Sequence, residues 1–382
     1  MNALLPSVTI AVPAYNHSRY VVQALDSMLD SGVPEVEVIV CDDASTDDTA
    51  EVVEAWGRQH GHGLSRFELL RHQRNAGLCQ TLNDLVGAAR GELIHVIASD
   101  DYFLPGGILT KTRVMAEHPE WEAAFCDGRA VGPDSQTYVE SLVSDSGFIT
   151  AQLVPESMSE ELLFHWGPPV HQMTWRRGTY QQHGGAFAYD PTVFCEDYDS
   201  ALWAAARGSL GYIPHVCQAY RCRSWPQSSE RNSIRECRDM AFVLTKQARH
   251  LPPRLKRHYE LLALIYTCSA IGDTLQANAL RRIHHASRDA YVQRLRDPQT
   301  IAEIPGSTEL TAALRGQLTR MEELTNDLKL TLRQTKTLVK KRDAAISDLT
   351  SRLKAAHHLL RHHAVNPGRA LRLWWNRDKP LP

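Results

Sequence analysis

Short apolar runs alternate with amphipathic stretches along the first hundred residues. Four short, mainly apolar runs predict strands, at residues 8–12, 36–41, 67–70 and 93–98. Apolar residues at helical spacing between them predict helices at residues 18–29, with Ser18 as the N-cap, at 49–56 and at 78–89. The run at residues 8–12 is continuous, apolar and β-branched, which is typical of a strand buried on both faces. This β-α order predicts a parallel sheet with right-handed crossovers and helices on both faces.

Composition narrows the class of protein. The 382 residues are 43% hydrophobic and 23% charged, as in a globular protein with one large domain plus an appendage, or with two domains. A net charge of −2 argues against a general nucleic-acid binder. The sequence starts without a basic stretch before an apolar core, so we expect no signal peptide, and the apolar stretch from Leu261 is too short to span a bilayer. Eight cysteines without CxxC pairs predict reduced, buried thiols in a cytoplasmic protein.

Adjacent carboxylates follow two of the predicted strands. Asp42 and Asp43 end one strand, and Asp100 and Asp101 follow another. Each pair alone is compatible with a polar turn. Parallel strands end at a common edge, however, where four carboxylates repel one another unless a cation or strong donors are present. Oxygen ligands favour Mg²⁺ or Mn²⁺, here with a diphosphate. Neither GxGxxG nor GxxxxGK[ST] occurs, which removes the dinucleotide fingerprint and the P-loop as explanations.

These motifs together carry a family resemblance. The chain resembles a family 2 glycosyltransferase of the bacterial surface-polysaccharide type over about residues 7–230, and the resemblance implies the Rossmann-like GT-A nucleotide-sugar fold. The matching segments, in family order, are VTIAVPAYNHSRYVVQALDSML, VEVIVCDDASTDDT, RNAGLCQTLN, GELIHVIASDDYFLPGGI and FCEDYDSALWAAARGSLGYIP.

The resemblance implies a donor site at the first two strand ends. The turn of Pro13 and Tyr15, together with Asp43, would hold the nucleoside base and ribose, with Tyr15 against the base and Asp43 accepting from a base N–H. Asp42 would support that turn. The implied donor is a nucleotide-sugar, with UDP or dTDP as the favoured nucleotides.

The resemblance also assigns the second acidic pair. Ser99, Asp100 and Asp101 stand where the family has its DXD-like motif. Asp101 would bind a divalent metal, Mn²⁺ or Mg²⁺, that bridges the diphosphate, and Asp100 would contact the ribose or the metal. The metal would neutralise charge on the leaving nucleoside diphosphate.

A third acidic pair matches the family's ED motif. Asp197 would be the catalytic base that removes the proton from the acceptor hydroxyl, and Glu196 would orient the acceptor or the base. The alternative is structural, since carboxylates at the start of a helix at 198–206 suit its dipole.

One segment departs from the family pattern. The family often has YRxHxxxxS after the ED helix, and here Arg223 stands at the His position after Arg221. Arginine clamps phosphate but does not ligate a metal. We therefore expect Arg221 and Arg223 to carry part of the charge neutralisation, with metal held more loosely, although both could be ordinary surface arginines.

Aromatic residues before the ED motif are candidates for the acceptor site. Trp166, His171 and Trp175 could stack on sugar rings, and the alternative for each is packing in the core.

Composition and motifs divide the chain into four segments. The GT-A domain is expected at 1–230, a helical extension at 231–305, a coiled coil or long amphipathic helix at 308–363, and a basic tail with adjacent tryptophans at 364–382. The tail's composition suits a membrane interface, and the alternative is a disordered or packed terminus.

These features together predict an enzyme. The expectation is an inverting glycosyltransferase, in the cytoplasm or at the inner face of the membrane, that extends a lipid-linked glycan such as O-antigen or capsule. Homo-oligomers could form through the coiled coil, and no nucleic acid is expected as a partner. The alternatives are a non-catalytic scaffold with a degenerate transferase domain and a sugar nucleotidyltransferase, which should carry a Gly-rich phosphate loop that this chain lacks.

Overall fold

The computed structural model describes residues 5–146, 148, 153–164, 173–185, 187–193, 195–222, 234–251, 253–270, 278, 281, 284 and 285. All of them lie in one compact unit, residues 1–292. Predictions for Arg223, Trp166, His171 and residues 293–382, including the coiled coil and the tail, fall outside the described residues.

The nine described strands form one mixed sheet. Its order is β3-β2-β1-β4-β8-β6-β9-β5, and β7 pairs with β6. The strands β1 to β4 are mutually parallel, whereas β8 runs antiparallel between β4 and β6. The bounds are β1 Val8–Ala14, β2 Val36–Asp42, β3 Arg66–Arg71, β4 Leu93–Val96, β5 Tyr102–Phe103, β6 Ala123–Val131, β7 Thr137–Val139, β8 Met173–Arg176 and β9 Leu210–Arg221.

Helices cover both faces of this sheet. Helices α1, α2 and α4 pack on one face, and α3, α6, α7, α8 and α9 contribute to the core on the other. Adjacent strand residues enter opposite cores: Ile10 belongs to the first and Ala11 to the second. The bounds are α1 Val21–Asp26, α2 Thr49–His60, α3 Leu78–Ala88, α4 Gly107–Glu117, α5 Leu142–Asp145, α6 Met158–Phe164, α7 Glu196–Ala206, α8 Ile234–Ala248 and α9 Pro253–Ala270.

The predicted parallel strands with helices on both faces are therefore confirmed, but the start of α1 is not. The helix begins at Val21, with Tyr20 rather than Ser18 at the N-cap. The backbone N–H of Ser18 instead donates to the carboxylate of Asp47, which ties the loop after β1 to the loop after β2. The side chain of Ser18 also bonds to Asp47, so a tertiary contact takes the group that would have capped the helix.

Helices α8 and α9 share a core with the sheet. Met240, Val243, Leu244 and Tyr259 are buried in the same cluster as α3 and α7. The Tyr259 hydroxyl donates to the carbonyl of Ser159 at 2.8 Å, which joins α9 to α6. The described part of the extension thus packs on α6 and α7, while its boundaries at residues 230 and 305 stay predictions.

Two expectations from composition concern cysteines and membranes. All eight cysteines are free and seven are buried, as predicted, with Cys195 partly exposed. Within the described ranges, no helix combines the length and the apolar character that crossing a bilayer requires.

Candidate active site

The carboxyl ends of β1, β2 and β4 meet at one edge of the sheet. The N–H of Asp43 donates to the carbonyl of Ala14 at 2.9 Å, and the N–H of Ser99 donates to the carbonyl of Pro13 at 3.3 Å. The chain segments that carry the Pro13–Tyr15 turn and both acidic pairs are therefore in direct backbone contact. This edge is where open α/β sheets hold ligands.

The loops after β1 and β2 are locked to each other in unusual backbone conformations. Asn16 and Ala44 have φ of +56° and +57°, a region that alanine rarely enters. The Asn16 side-chain oxygen accepts from the Thr46 N–H at 2.7 Å, and the backbone N–H of Asn16 donates to Ser45 Oγ at 2.9 Å. Next to this rigid pair of loops, the ring of Tyr15 is 43% exposed, so it offers an open face to a ligand.

Asp42 and Asp43 are both buried but differ in their partners. Oδ2 of Asp42 accepts from the Ser45 N–H at 3.1 Å, whereas its buried Oδ1 has no partner among the described residues. Asp43 accepts from the N–H groups of Ala76 at 2.7 Å and Gly77 at 2.9 Å. A buried carboxylate oxygen without a donor is costly, so the Asp42 site favours binding of a donor group.

A histidine that the motif analysis missed joins this group. Nδ1 of His72 lies 2.7 Å from Oδ1 of Asp43, and Nε2 lies 3.0 Å from Oδ2 of Asp84. Burial alone would lower the pKa of His72, but the two carboxylates outweigh burial and raise it. His72 directly follows β3, so the strand-end rule that indicated the acidic pairs could also have indicated this residue.

Asp100 and Asp101 lie in different surroundings although they are neighbours. Asp101 is buried, and burial together with the charge of Asp100 holds its pKa well above the ordinary value, against the opposing effect of Arg221. Asp100 is partly exposed, with Oδ1 3.7 Å from Nδ1 of His17. That ring nitrogen also lies 2.8 Å from Ser99 Oγ. Two carboxylates that repel each other at the ligand edge are suited to a cation.

Arg221 supports the Asp100–Asp101 turn from behind. Its N–H donates to Oδ1 of Asp101, and its guanidinium lies 4.6 Å from the Tyr20 ring centre and 5.6 Å from that of Tyr102. All three side-chain nitrogens donate inside the protein, to the carbonyls of Asp100, Gly132 and Pro133, Ser135 Oγ and Gln23 Oε1. All of these donors are thus engaged inside the protein. A direct contact of Arg221 with diphosphate stays a prediction.

Glu196 and Asp197 are the first two residues of α7, and Cys195 is the N-cap. Both carboxylates are partly exposed, and Oδ1 of Asp197 accepts from the Tyr198 N–H at 2.7 Å. Burial and the charge of Asp197 raise the pKa of Glu196 to about 8. The helix N-terminus favours negative charge here, so the structural contribution and a catalytic one coexist at this pair.

A buried ion pair anchors the same helix. Asp199 is buried, and its Oδ2 lies 2.7 Å from Nζ of Lys246 on α8, which is also 3.2 Å from Oδ2 of Asp190. Nε2 of Gln247 donates to the other oxygen of Asp199. The position of the ED pair therefore depends on the helical extension, through contacts that no local sequence pattern indicates.

The acceptor role considered for Trp175 is wrong. Its side chain is completely buried in β8 and stacks on Phe187, with ring centres 5.1 Å apart. Alternation along an antiparallel strand turns this residue into the core.

Comparison with known proteins agrees with this geometry. Residues 9–152 match the family model described as glycosyl transferase family 2. Chondroitin synthase of Pasteurella multocida is 27% identical over 213 residues, which are 56% of this chain and 20% of that protein. The succinoglycan biosynthesis protein ExoU of Rhizobium meliloti is 27% identical over 307 residues, covering 77% of this chain and 79% of that protein. The chain thus spans only a fifth of the chondroitin synthase that it matches.

Solved structures share the fold. S. aureus TarS 1-349, in complex with UDP-GlcNAc, superposes with a TM-score of 0.52 and 18% identity over 69% of this chain and 73% of that chain. The mannosyltransferase PcManGT of Pyrobaculum calidifontis, in complex with GDP-Man and Mn²⁺, superposes with a TM-score of 0.50 and 21% identity. The superposition covers 74% of this chain and 80% of that chain.

The sheet therefore has the GT-A glycosyltransferase fold, as the sequence predicted. Residues 9–152 match the model of glycosyl transferase family 2, in agreement with the resemblance carried by the sequence motifs.

Proposed function

We propose that this protein is an inverting glycosyltransferase that moves a sugar from a nucleotide-sugar to a hydroxyl of a growing bacterial surface polysaccharide. The observation that carries the proposal is the convergence of the exposed Tyr15 ring, the unpartnered oxygen of buried Asp42 and the Asp100–Asp101 pair on one sheet edge. A nucleoside diphosphate supplies what this edge lacks: a flat ring, hydroxyl donors and phosphates that bind a cation.

In the proposed donor site, the base lies against Tyr15 and the Pro13 turn, with its N–H on Asp43. The ribose hydroxyls donate to Asp42, whose buried Oδ1 has no donor in the part of the chain that the structure describes. UDP and dTDP are the proposed nucleotides, as the family resemblance implies, and a ring N–H of uracil or thymine would donate to Asp43. TarS and PcManGT, which share the fold, were solved with UDP-GlcNAc and GDP-Man.

The residues present fit a divalent metal. In the described ranges, no cluster of three or more His, Cys, Asp or Glu side chains is placed to hold one. Mg²⁺ and Mn²⁺ nevertheless bind at one or two carboxylates when substrate phosphates complete the shell. Asp101 would hold the ion with Asp100, and the ion would supply neutralisation of the leaving diphosphate. The elevated pKa of Asp101 agrees with a carboxyl that awaits a neighbouring positive charge.

In the proposed reaction, the Asp197 carboxylate takes the proton of the acceptor hydroxyl as its oxygen attacks the anomeric carbon. The bond from that carbon to the diphosphate oxygen breaks, the nucleoside diphosphate leaves, and the configuration inverts. Glu196 orients the acceptor or the base, and Arg221 keeps the Asp100–Asp101 turn in place. Arg223 is proposed to meet the diphosphate.

Partners and location belong to the same proposal. The acceptor is a glycan or glycolipid, and the chain works in the cytoplasm or at the inner face of the membrane. Self-association through residues 308–363 and membrane contact through residues 364–382 are proposed from sequence composition.

The test is release of nucleoside diphosphate from UDP-, dTDP- and GDP-sugars, with and without Mn²⁺ or Mg²⁺. We expect release from one donor, and loss of release in Asp101→Ala. Asp30→Asn is the matched control, because Asp30 is exposed at a distant turn. Failure to release or bind any nucleotide would reject the transferase and favour the scaffold alternative, and formation of a sugar nucleotide from a nucleoside triphosphate would favour the nucleotidyltransferase.

A further inference from the structure

The imidazole of His72 lies between two carboxylates that come from different elements. Asp43 follows β2 and faces Nδ1 at 2.7 Å, and Asp84 on α3 faces Nε2 at 3.0 Å. An ionised carboxylate only accepts hydrogen bonds, so the ring satisfies both contacts only when both nitrogens carry a proton. The geometry therefore favours the imidazolium.

The other groups around the ring do not compete for this role. Cys41 Sγ lies 3.4 Å from Nε2, and burial together with the nearby carboxylates raises the pKa of that thiol to about 12, so it is neutral. Gln80 on α3 donates to the other oxygen of Asp84 at 3.0 Å. The guanidinium of Arg71 points to α2, where it pairs with Glu54.

Asp43 is consequently fixed on both oxygens. The Ala76 N–H and His72 share Oδ1, and the Gly77 N–H donates to Oδ2. Three donors on its two oxygens therefore hold this carboxylate in one orientation. A fixed, ionised carboxylate is an acceptor that cannot turn into a donor.

We propose that His72 is a positioning residue for the donor nucleotide, and that it holds Asp43 as an ionised, immobile acceptor for a ring N–H of the base. The inference rests on the proposed function, in which Asp43 receives the base. It narrows the donor to bases with a ring N–H, namely uracil, thymine and guanine. Cytosine presents a lone pair at N3, which would face another acceptor.

Calorimetric binding of UDP, dTDP, GDP and CDP to the full chain with Mn²⁺, without acceptor, tests this inference. We expect His72→Gln to weaken the tightest of UDP, dTDP and GDP by about tenfold or more, and to change CDP binding by less than about threefold. His62→Gln is the matched control, since His62 is exposed in the loop before β3. Asp84→Asn should weaken binding at pH 8 but not at pH 6, because it lowers the pKa of His72 without touching the donor.

The outcomes separate the two proposals. No binding of any nucleotide by the unmodified protein would reject the proposed function itself. If His72→Gln leaves nucleotide binding unchanged, or weakens CDP binding as much as that of the other nucleotides, only the role of His72 is overturned. The same holds if the unmodified protein binds CDP more tightly than UDP, dTDP and GDP. Nitrogen chemical shifts of labelled histidine, assigned with His72→Gln, give an independent readout: an imidazolium at pH 7 supports the proposal, and a neutral ring overturns it.

Discussion

The N–H of Arg221 donates to Oδ1 of Asp101 at 2.7 Å, although 120 residues separate the two in sequence. The last residue of β9 thereby holds the turn that follows β4, and its side chain extends on to the carbonyls of Gly132 and Pro133. One arginine thus connects the predicted metal carboxylate to the loop between β6 and β7.

Replacing Arg221 should lower the stability of the protein as well as its activity. Arg221→Met leaves buried carbonyls without donors, so we expect the free energy of unfolding to fall by about 2–4 kcal/mol. The free energy of unfolding of Arg221→Lys should lie between those of the unmodified protein and Arg221→Met, because lysine keeps the charge but lacks the planar guanidinium. Urea unfolding measures both variants.

Arg19→Gln is the control for the arginine series. Arg19 pairs with Asp134 at 2.7 Å, but both side chains are more than half exposed. Loss of this exposed ion pair should lower the free energy of unfolding by no more than about 0.5 kcal/mol. Equal losses for Arg19 and Arg221 variants would contradict the supporting role of Arg221.

Glu196 should make stability fall as pH rises. Its pKa is raised from 4.5 to about 8, so the folded state binds more protons than the unfolded state between these pH values. Stability decreases with pH wherever the native state holds the extra proton. We therefore expect Glu196→Gln to gain stability over the unmodified protein from pH 5 to pH 8.

Thermal or urea unfolding at several pH values measures this difference. Glu117→Gln, at the exposed end of α4, should track the unmodified protein at every pH. A difference between Glu196→Gln and the unmodified protein that stays constant with pH would show that Glu196 titrates normally.

How far the sequence predicts the molecule depends on the range of each interaction. Strands β1, β2 and β4 were predictable because burial on both faces requires continuous apolar runs, and strand ends locate the acidic pairs. The partners of Arg221 were not predictable, since its contact with Gln23 spans 198 residues. The N-cap at Ser18 was predicted wrongly because both its N–H and its side chain bond to Asp47, a neighbour only in the folded chain.

The ion pair between Lys246 and Asp199 should stabilise the ED helix. Lys246→Met leaves the buried Asp199 carboxylate without its cation, and we expect a loss of about 3 kcal/mol, at the low end for a broken buried pair because Lys246 is 23% exposed. Lys256→Met is the control, since Lys256 is exposed on α9. A Lys246 variant as stable as the control would contradict the anchoring of α7 by α8.

Two glycines of the α3 region should respond to alanine with opposite signs. Gly77 has a φ of +87°, and its N–H binds Asp43, so Gly77→Ala should cost about 1–3 kcal/mol in backbone strain and weaken nucleotide binding. Gly87 lies within α3 and faces open space, so Gly87→Ala should stabilise by about 0.5–1 kcal/mol. Urea unfolding curves of both variants measure the two changes in stability. A Gly77→Ala protein more stable than the unmodified one would contradict the predicted backbone strain at Gly77.

The most direct test of the account is the turnover of Asp197→Asn with the donor and acceptor that the unmodified protein uses. We predict that kcat falls by about 10²-fold or more, because the acceptor hydroxyl loses its base, while calorimetry shows nucleotide binding unchanged. Full turnover by a folded Asp197→Asn protein would contradict the assignment of Asp197 as the base and the proposed mechanism with it.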